Sequence, residues 1–234
     1  MAMKTLFIHA HSTRNVMIPS SVAKKLPKKV GVVASIQFAN QIPAIVKQVP
    51  GSVAGGQVLG CNAAMALKLV SKVDAFLFVG SGAFHPINVA LQSNKPVFCF
   101  NPYTSDFKQL DTKEVEAYAK SRKGAVLKFL TAKRVGIIVS TKIGQKNLQR
   151  ALQLKKKADK EYYIFACDTF DFRYLEDFNF IDCWVNTACP RMDDQKAGIV
   201  NINDLVSAGI VKFPHTSEGY EVPIWMGTKG LALR

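Results

Sequence analysis

Two of the five cysteines follow predicted strands, and thiols at such positions can bind a metal or form a redox pair. Cys189 follows the apolar run at 180–185, and the next residue, Pro190, cannot continue a hydrogen-bonded strand. Cys61 has a comparable place, directly after the glycine-containing segment 55–60. Because ligands of parallel α/β sheets collect at the carboxyl ends of strands, we predict that these thiols serve a shared metal or a redox pair.

The other three cysteines lie in apolar runs, where a thiol usually packs as a small hydrophobic side chain. We therefore expect Cys99, Cys167 and Cys183 in the core. Cys167 is the candidate exception, because it follows the run at 162–165 and can stand at the end of a strand.

The segments that must position these thiols alternate between apolar strand runs and helical patterns. The predicted buried strands of the first half are 30–35, 73–79 and 96–100. The predicted helices are 38–48, 62–71 and 87–92. Such alternation is typical of βαβ units with a parallel sheet.

The second half of the chain repeats the first. Residues 133–140 resemble 28–35, and residues 180–184 resemble 72–76 at nearly the same offset. The repeat predicts an α/β protein with two three-layer α/β/α domains and mainly parallel sheets.

The predicted domains are 30–132 and 133–234, joined through a lysine-rich helix that begins near Thr112. Residues 1–29 fit neither copy. Within them, 5–10 has the pattern of one strand, and a polar connection follows. Because a lone strand is not stable, we expect it to join a sheet of this chain or of another one.

Length and composition indicate a folded protein, since 48% of the 234 residues are hydrophobic and 21% are charged. No apolar stretch reaches the roughly 18 residues of a membrane span. The apolar run near the start is too short for a signal peptide. The cysteines are odd in number and widely spaced, which favours a reducing compartment, so we expect a cytoplasmic protein without a membrane partner.

The net charge of +14 predicts attraction to acidic partners. Lysine-rich clusters occur at 120–123 and 155–157. No aromatic residues alternate with these lysines as a base-stacking surface requires, and no known nucleic-acid-binding motif is present. We therefore do not expect nucleic acid as the partner.

Five short motifs together carry a family resemblance. They are residues 56–62, 74–86, 101–103, 140–145 and 187–191. In this order they resemble the archaeal enzyme of the first step of diphthamide biosynthesis, 2-(3-amino-3-carboxypropyl)histidine synthase. The resemblance extends over most of the chain.

The resemblance implies a non-classical radical S-adenosylmethionine enzyme with three similar α/β domains, each of which gives one cysteine to a [4Fe–4S] cluster. Cys61 matches the ligand of the middle domain and Cys189 the ligand of the last domain. Residues 5–10 resemble the closing strand of the first domain, so residues 1–29 are expected to be the end of a domain that is absent here. A separate first-domain polypeptide is then expected to supply the third cysteine in a homo- or hetero-oligomer.

The resemblance also implies the reaction. Three thiolates leave one iron of the cluster open for a substrate. In the family, that iron binds the methionine part of S-adenosylmethionine, and reduction releases a 3-amino-3-carboxypropyl radical. The radical adds to a histidine ring of translation elongation factor 2, so the expected activity is that of a transferase.

Four polar residues near predicted strand ends are candidates for binding S-adenosylmethionine: Gln57, His85, Gln145 and Arg191. A guanidinium can form two hydrogen bonds with a carboxylate, although Arg191 can instead form a surface ion pair with Asp193 or Asp194. His85 can hydrogen-bond the cofactor or cap a loop. The amides of the two glutamines offer donors and acceptors.

Two other interpretations remain open. The chain can be a cluster-free, non-enzymatic subunit that docks the elongation factor or assembles the complex. It can also be a basic α/β protein that binds nucleic acid. Retention of both cysteines within their motifs favours the catalytic interpretation over the first of these, and the missing nucleic-acid motif disfavours the second.

Overall fold

The protein is described by a computed structural model, which covers residues 8–195 and 198–213. It divides into two compact units, with the boundary between Val115 and Glu116. Within the described residues, no helix is both long enough and apolar enough to cross a membrane.

The first unit contains a five-stranded sheet. Its strands are β1 Val30–Ala34, β2 Ser52–Gln57, β3 Ala75–Val79, β4 Val97–Phe100 and β5 Phe107–Gln109. They lie in the order β2-β1-β3-β4-β5, and only β5 runs antiparallel to its neighbour. Every residue of β1 and β3 is buried, which is typical of parallel strands covered on both faces.

Helices cover both faces of this sheet. They are α1 Ser20–Ala23, a 3₁₀ helix Ile36–Gln41, α2 Ile42–Gln48, α3 Ala64–Leu67 and α4 Phe84–Ser93. One face packs Val32 and Leu77 against Ile45 of α2. On the other face, Phe76 lies against the small residue Gly31, close to Leu69 after α3. The predicted three-layer arrangement is therefore confirmed in this unit.

The segment before β1 belongs to the core of the first unit. Val16, Ile18 and Val22 are buried with β1 and α2. The side-chain amide of Gln41 accepts from the N–H of Val16 at 2.8 Å, and that of Gln48 accepts from the N–H of Ile18 at 2.7 Å. Of the predicted strand at 5–10, residues 5–7 lie outside the described residues, and 8–10 form no strand.

The second unit contains a four-stranded, fully parallel sheet. Its strands are β6 Arg134–Ser140, β7 Glu161–Cys167, β8 Cys183–Asn186 and β9 Ile199–Asn201. Its order, β7-β6-β8-β9, is the same as that of β2-β1-β3-β4, so the predicted repeat is present in the topology of both units.

Three helices pack on one face of the second sheet: α5 Thr112–Thr131, α6 Leu148–Lys155 and α7 Ile202–Ser207. The opposite face is covered by a 3₁₀ helix, Phe172–Phe178. The predicted joining helix near Thr112 is thus observed as α5, but the boundary between the units falls inside it rather than at residue 133. The reason is that Val126 and Phe129 of α5 are buried in the core of the second unit.

Candidate metal centre

Cys61 lies in a tight turn of the first unit, shortly after the end of β2. The turn is closed by two backbone hydrogen bonds between Leu59 and Asn62, of 2.8 and 3.2 Å. Asn88 of α4 donates a further hydrogen bond to the carbonyl of Leu59. These bonds fix the backbone on both sides of a half-buried thiol.

The turn is also held by close packing at Gly60. A Cβ atom at this position would lie 1.8 Å from Cε1 of Phe84, the first residue of α4. Only glycine fits here, because any side chain would overlap the ring. The Cys61 turn therefore packs directly against the first residue of α4.

His85 and Gln57 lie on the elements that flank this turn. His85 is the second residue of α4, and its ring lies 6.0 Å from the ring of Phe78, centroid to centroid, in a stacked orientation. Gln57 is the last residue of β2 and is half-buried. Neither residue lines the cavity of about 430 Å³ that opens near the ends of β3 and β4, which is lined by Gly80, Cys99 and Lys108 among others.

Cys99 was predicted to lie in the core, but it is half-buried and lines this cavity, because its strand β4 is buried only at its two ends. Burial raises its pKa to about 11, with nearby Lys108 acting in the opposite direction.

Cys189 lies in the turn that follows β8 in the second unit. The side chain of Asn186 spans this turn, because its oxygen accepts from the N–H of Ala188 at 2.8 Å and its nitrogen donates to the carbonyl of Cys189 at 2.9 Å. Thr187 donates from both its N–H and its hydroxyl to the carbonyl of Ile138 in β6, at 3.1 and 2.7 Å. The thiol is thus presented by a backbone that hydrogen bonds hold in place.

A cavity of about 400 Å³ lies at the carboxyl edge of the second sheet. It is lined by Ile138, Ser140, Lys142, Gln145, Cys167, Asp168, Thr169, Phe170, Cys189, Arg191 and Met192. The structure therefore brings three of the predicted site residues, Cys189, Gln145 and Arg191, to one cavity.

The loop after β6 places Gln145 at this cavity. The hydroxyl of Ser140 accepts from the N–H of Lys142 at 3.1 Å, and the N–H of Gln145 donates to the carbonyl of Lys142 at 3.0 Å. Gly144 has a φ of 80°, a conformation that favours glycine, so the tight loop depends on this residue.

Sequence reasoning missed two charged residues of the cavity, Lys142 and Asp168. Both lie one or two residues after the end of a strand, which is the signal that identified the other candidates. With Arg191, they give this cavity two positive groups and one negative group, an excess of positive charge that favours a carboxylate ligand.

Cys167 also lines this cavity. It is the last residue of β7 and is half-buried rather than in the core. Burial raises its pKa, the carboxylate of Asp168 acts in the same direction, and Lys142 acts against both. The possible exception that the sequence indicated thus lies at the same cavity as Cys189.

The thiols of Cys61 and Cys189 are the kind of ligand that an iron–sulfur centre needs, because its irons are held by cysteine thiolates. Among the described residues, however, no group of three or more histidine, cysteine, aspartate or glutamate side chains is arranged to hold a metal ion. The side chains of Asp193 and Asp194, the predicted alternative partners of Arg191, are not among those that the structure describes.

Comparison with known proteins identifies relatives of the chain. The family model of diphthamide synthesis proteins matches residues 2–197. The 2-(3-amino-3-carboxypropyl)histidine synthase of Pyrococcus horikoshii is 37% identical over 147 residues, which cover 61% of this chain and 41% of that protein. The enzyme of the same name from Methanocaldococcus jannaschii is 31% identical over 170 residues, or 70% of this chain and 46% of that protein. The chain thus spans less than half the length of these relatives.

A solved structure shares the fold. The crystal structure of Dph2 from Pyrococcus horikoshii with a 4Fe-4S cluster superposes with a TM-score of 0.67 and 28% sequence identity, covering 82% of this chain and 60% of that one. Because the family model matches most of the sequence, the chain belongs to the family of diphthamide synthesis proteins.

Proposed function

We propose that this protein carries out the first step of diphthamide biosynthesis, as the part of 2-(3-amino-3-carboxypropyl)histidine synthase that contains the middle and last domains. It transfers the 3-amino-3-carboxypropyl group of S-adenosylmethionine to a histidine of translation elongation factor 2 in the cytoplasm. The observation that carries the proposal is the cavity at Cys189, where Gln145 and Arg191 of the family motifs meet the candidate cysteine ligand.

In this proposal, the thiolates of Cys61 and Cys189 are ligands of a [4Fe–4S] cluster. Both thiols are half-buried and lie in turns that hydrogen bonds hold at strand exits, so they can reach a ligand without disturbing the core. When bound and reduced, the cluster supplies the electron that breaks a carbon–sulfur bond of S-adenosylmethionine.

The chain's own polar residues bind and orient that substrate. Arg191 pairs with the amino-acid carboxylate through charge-assisted hydrogen bonds, and Lys142 adds a second positive charge at the same cavity. Gln145 hydrogen-bonds the polar atoms of the amino acid. His85 and Gln57 contribute binding groups from the first unit.

A separate first-domain polypeptide completes the enzyme by supplying a third cysteine. The fungal relative from Schizosaccharomyces pombe is named as subunit 1 of the synthase, which is consistent with a multi-subunit enzyme. The excess of basic residues favours association with acidic surfaces of the elongation factor.

The test is anaerobic reconstitution with iron, sulfide and the complementary first-domain polypeptide. With S-adenosylmethionine and a reductant, the complex should modify histidine on elongation factor 2, detected as the added mass on the histidine-containing peptide. Cys61→Ala and Cys189→Ala should lose cluster content and modification together, whereas the matched variant Cys99→Ala should retain both. Full modification by both ligand variants would refute the assignment.

The second candidate function is that of a non-enzymatic subunit that docks the elongation factor or assembles the complex. It is favoured by the absence, among the described residues, of a three-residue group able to hold a metal. A stable complex with the elongation factor that is equally tight with Cys61→Ala and Cys189→Ala, with no modification under any loading condition, would establish this alternative.

A further inference from the structure

One side of α4 lies against the Cys61 turn. Phe84, Asn88 and Gln92 are spaced four residues apart and therefore form one row along the helix. Phe84 packs against the turn, and the side-chain nitrogen of Asn88 donates to the carbonyl of Leu59 at 3.2 Å. One apolar and one polar contact from this row thus hold the turn.

Asn88 is a polar residue in a buried part of α4, with 4% of its surface exposed. Its neighbours Ile87 and Val89 are apolar and are also buried. An amide at such a position costs free energy unless its polar atoms are hydrogen-bonded, and asparagine is a poorer helix former than leucine. The hydrogen bonds of the amide, rather than its packing, therefore account for asparagine at this position.

Gln92 determines which way the Asn88 amide points. The side-chain nitrogen of Gln92 donates to Oδ1 of Asn88 at 2.8 Å, so the nitrogen of Asn88 is directed to the carbonyl of Leu59. With the amide reversed, two oxygens would face each other at Leu59 and two donors at Gln92. A chain of hydrogen bonds thus leads from α4 to the backbone of the Cys61 turn.

The bond from Asn88 does what the bonds inside the turn do not. The two backbone bonds between Leu59 and Asn62 close the turn on itself, but they do not orient it in the unit, because both partners belong to the turn. Asn88 connects the turn to a ten-residue helix. Loss of this bond leaves the turn closed but less firmly oriented, and the thiol of Cys61 moves with the turn.

We propose that Asn88 is a positioning residue for the thiol of Cys61, with its own amide oriented by Gln92. This inference rests on the proposed function, in which the Cys61 thiolate is a cluster ligand. In this role Asn88 does not contact the cluster; it fixes the backbone from which the thiolate reaches iron. Groups that orient a metal ligand contribute about 10–100-fold to metal affinity.

The first test uses the unloaded full chain and needs no cluster. In Asn88→Leu, hydrogen exchange at the amides of Leu59 and Asn62 should quicken by about tenfold, the effect of losing one hydrogen bond of ordinary strength. Ser93→Ala is the matched control, because the buried hydroxyl of Ser93 bonds within α4, to the carbonyl of Val89 at 2.6 Å. Exchange at the turn should be unchanged in this control.

The second test measures iron bound per chain after anaerobic loading together with the complementary first-domain polypeptide. Asn88→Leu should weaken cluster binding by about tenfold or more, whereas Ser93→Ala should not. Equal weakening in both variants would show that Asn88 serves only the stability of α4.

Asn88→Asp provides a readout that a purely structural role does not predict. Its ionised carboxylate accepts from Gln92 but has no donor for the carbonyl of Leu59, whereas the protonated carboxyl restores both bonds. Burial raises the pKa of such a carboxyl. Measured against the unchanged chain at each pH, the iron content of Asn88→Asp should therefore recover as pH falls, and that of Asn88→Leu should not.

The outcomes separate this inference from the proposed function. Loss of iron in Cys61→Ala with full iron in Asn88→Leu, or unchanged exchange at the turn in Asn88→Leu, would overturn the role of Asn88 alone. If the unchanged chain takes up no cluster with its complementary polypeptide, the proposed function fails, and the inference fails with it.

Discussion

Cys183 and Cys189 show how the surroundings decide what a thiol can do. Cys183 is fully buried in the core of the second unit, and burial raises its pKa to about 12, although Lys128 and Lys160 act in the opposite direction. Cys189 lies half-buried at a cavity. Only the second is accessible to iron.

Substitution should separate these roles. We expect Cys189→Ala to lose bound iron after reconstitution while its thermal unfolding stays close to that of the unchanged chain, because little packing is removed. Cys183→Ala should bind iron normally and lose about 1 kcal/mol of unfolding free energy, the usual cost of a small core change. Iron assays and denaturant unfolding check the pair, and a reversed pattern would contradict it.

The raised pKa of Cys183 also predicts a pH dependence of stability. The unfolded thiol ionises near 9.0 and the folded one near 12, so between these values the unfolded state releases a proton that the folded state keeps. The unfolding free energy should therefore fall as pH rises above 9.0. Below that pH the thiol is protonated in both states, so it adds no pH dependence there.

Cys183→Ala removes the part of the alkaline pH dependence that comes from this thiol. Its unfolding free energy, measured by urea titration, should fall less steeply with alkaline pH than that of the unchanged chain, by up to about 1.4 kcal/mol per pH unit. Equal slopes for both chains would show that the thiol ionises alike in the folded and unfolded states.

At the scale of elements, apolar content determined what sequence could predict. Strands β1, β3 and β4 are continuous apolar runs, and they were predicted within two residues of their observed bounds. Strand β2 was missed because Gly55 and Gly56 lower its strand propensity and its burial is uneven. The predicted helix at 62–71 contains only the short α3, since the chain after it forms turns.

The candidate site was predictable where residues lie in motifs at strand exits, as for Cys189, Gln145 and Arg191. The position of Cys167 at the same cavity depends on sheet order and register, which the sequence does not state. The roles of Gln57 and His85 remain predictions.

An ion pair between α5 and α7 should be important for the second unit. Asp204 is buried, and both of its carboxylate oxygens accept from the Nε of Arg122, at 2.9 and 3.0 Å. Asp204→Ala leaves the half-buried guanidinium without its partner, and we expect a loss of about 3–5 kcal/mol in unfolding free energy. Glu116→Ala, at an exposed position of the same helix, should change it by less than about 0.5 kcal/mol in urea titrations.

The packing that holds the Cys61 turn against α4 can be tested without changing a thiol. Gly60→Ala forces a methyl group into the ring of Phe84, so the turn must shift and iron binding should weaken. Gly124→Ala in α5 is the control, because a Cβ there meets no atom within 4 Å and alanine favours helix. Comparable iron binding by both variants would show that the turn tolerates displacement.

At the scale of the whole molecule, one strand order occurs in both units, but the candidate cysteines occupy different places in it. Cys61 follows β2 at the edge of its sheet, whereas Cys189 follows β8, next to the central strand. The residue that matches Cys61 in strand order is Cys167, at the end of β7. The repeat was predictable from short apolar strings, but this correspondence became visible only with the topology.

The net charge of +14 predicts how the chain would meet the proposed partner, elongation factor 2. If the proposal is right, the association rate should fall as salt is raised, because a Debye length of about 10 Å at 0.1 M shrinks to about 3 Å at 1 M. Stopped-flow measurement across this range checks the slope, and dissociation should change less. A rate independent of salt would indicate that charge does not guide the encounter.

The two glutamine amides that hold the chain at Val16 and Ile18 show how a segment without regular structure can join a core. Residues 16–18 form no strand, but the side chains of Gln41 and Gln48 accept from the N–H groups of Val16 and Ile18, and Gln48 also donates to the carbonyl of Val16. Because a buried backbone group without a partner costs free energy, these amides let the segment bury its apolar side chains without pairing with the sheet. The entry to the first unit is therefore fixed by two side chains of the helical layer and not by strand pairing.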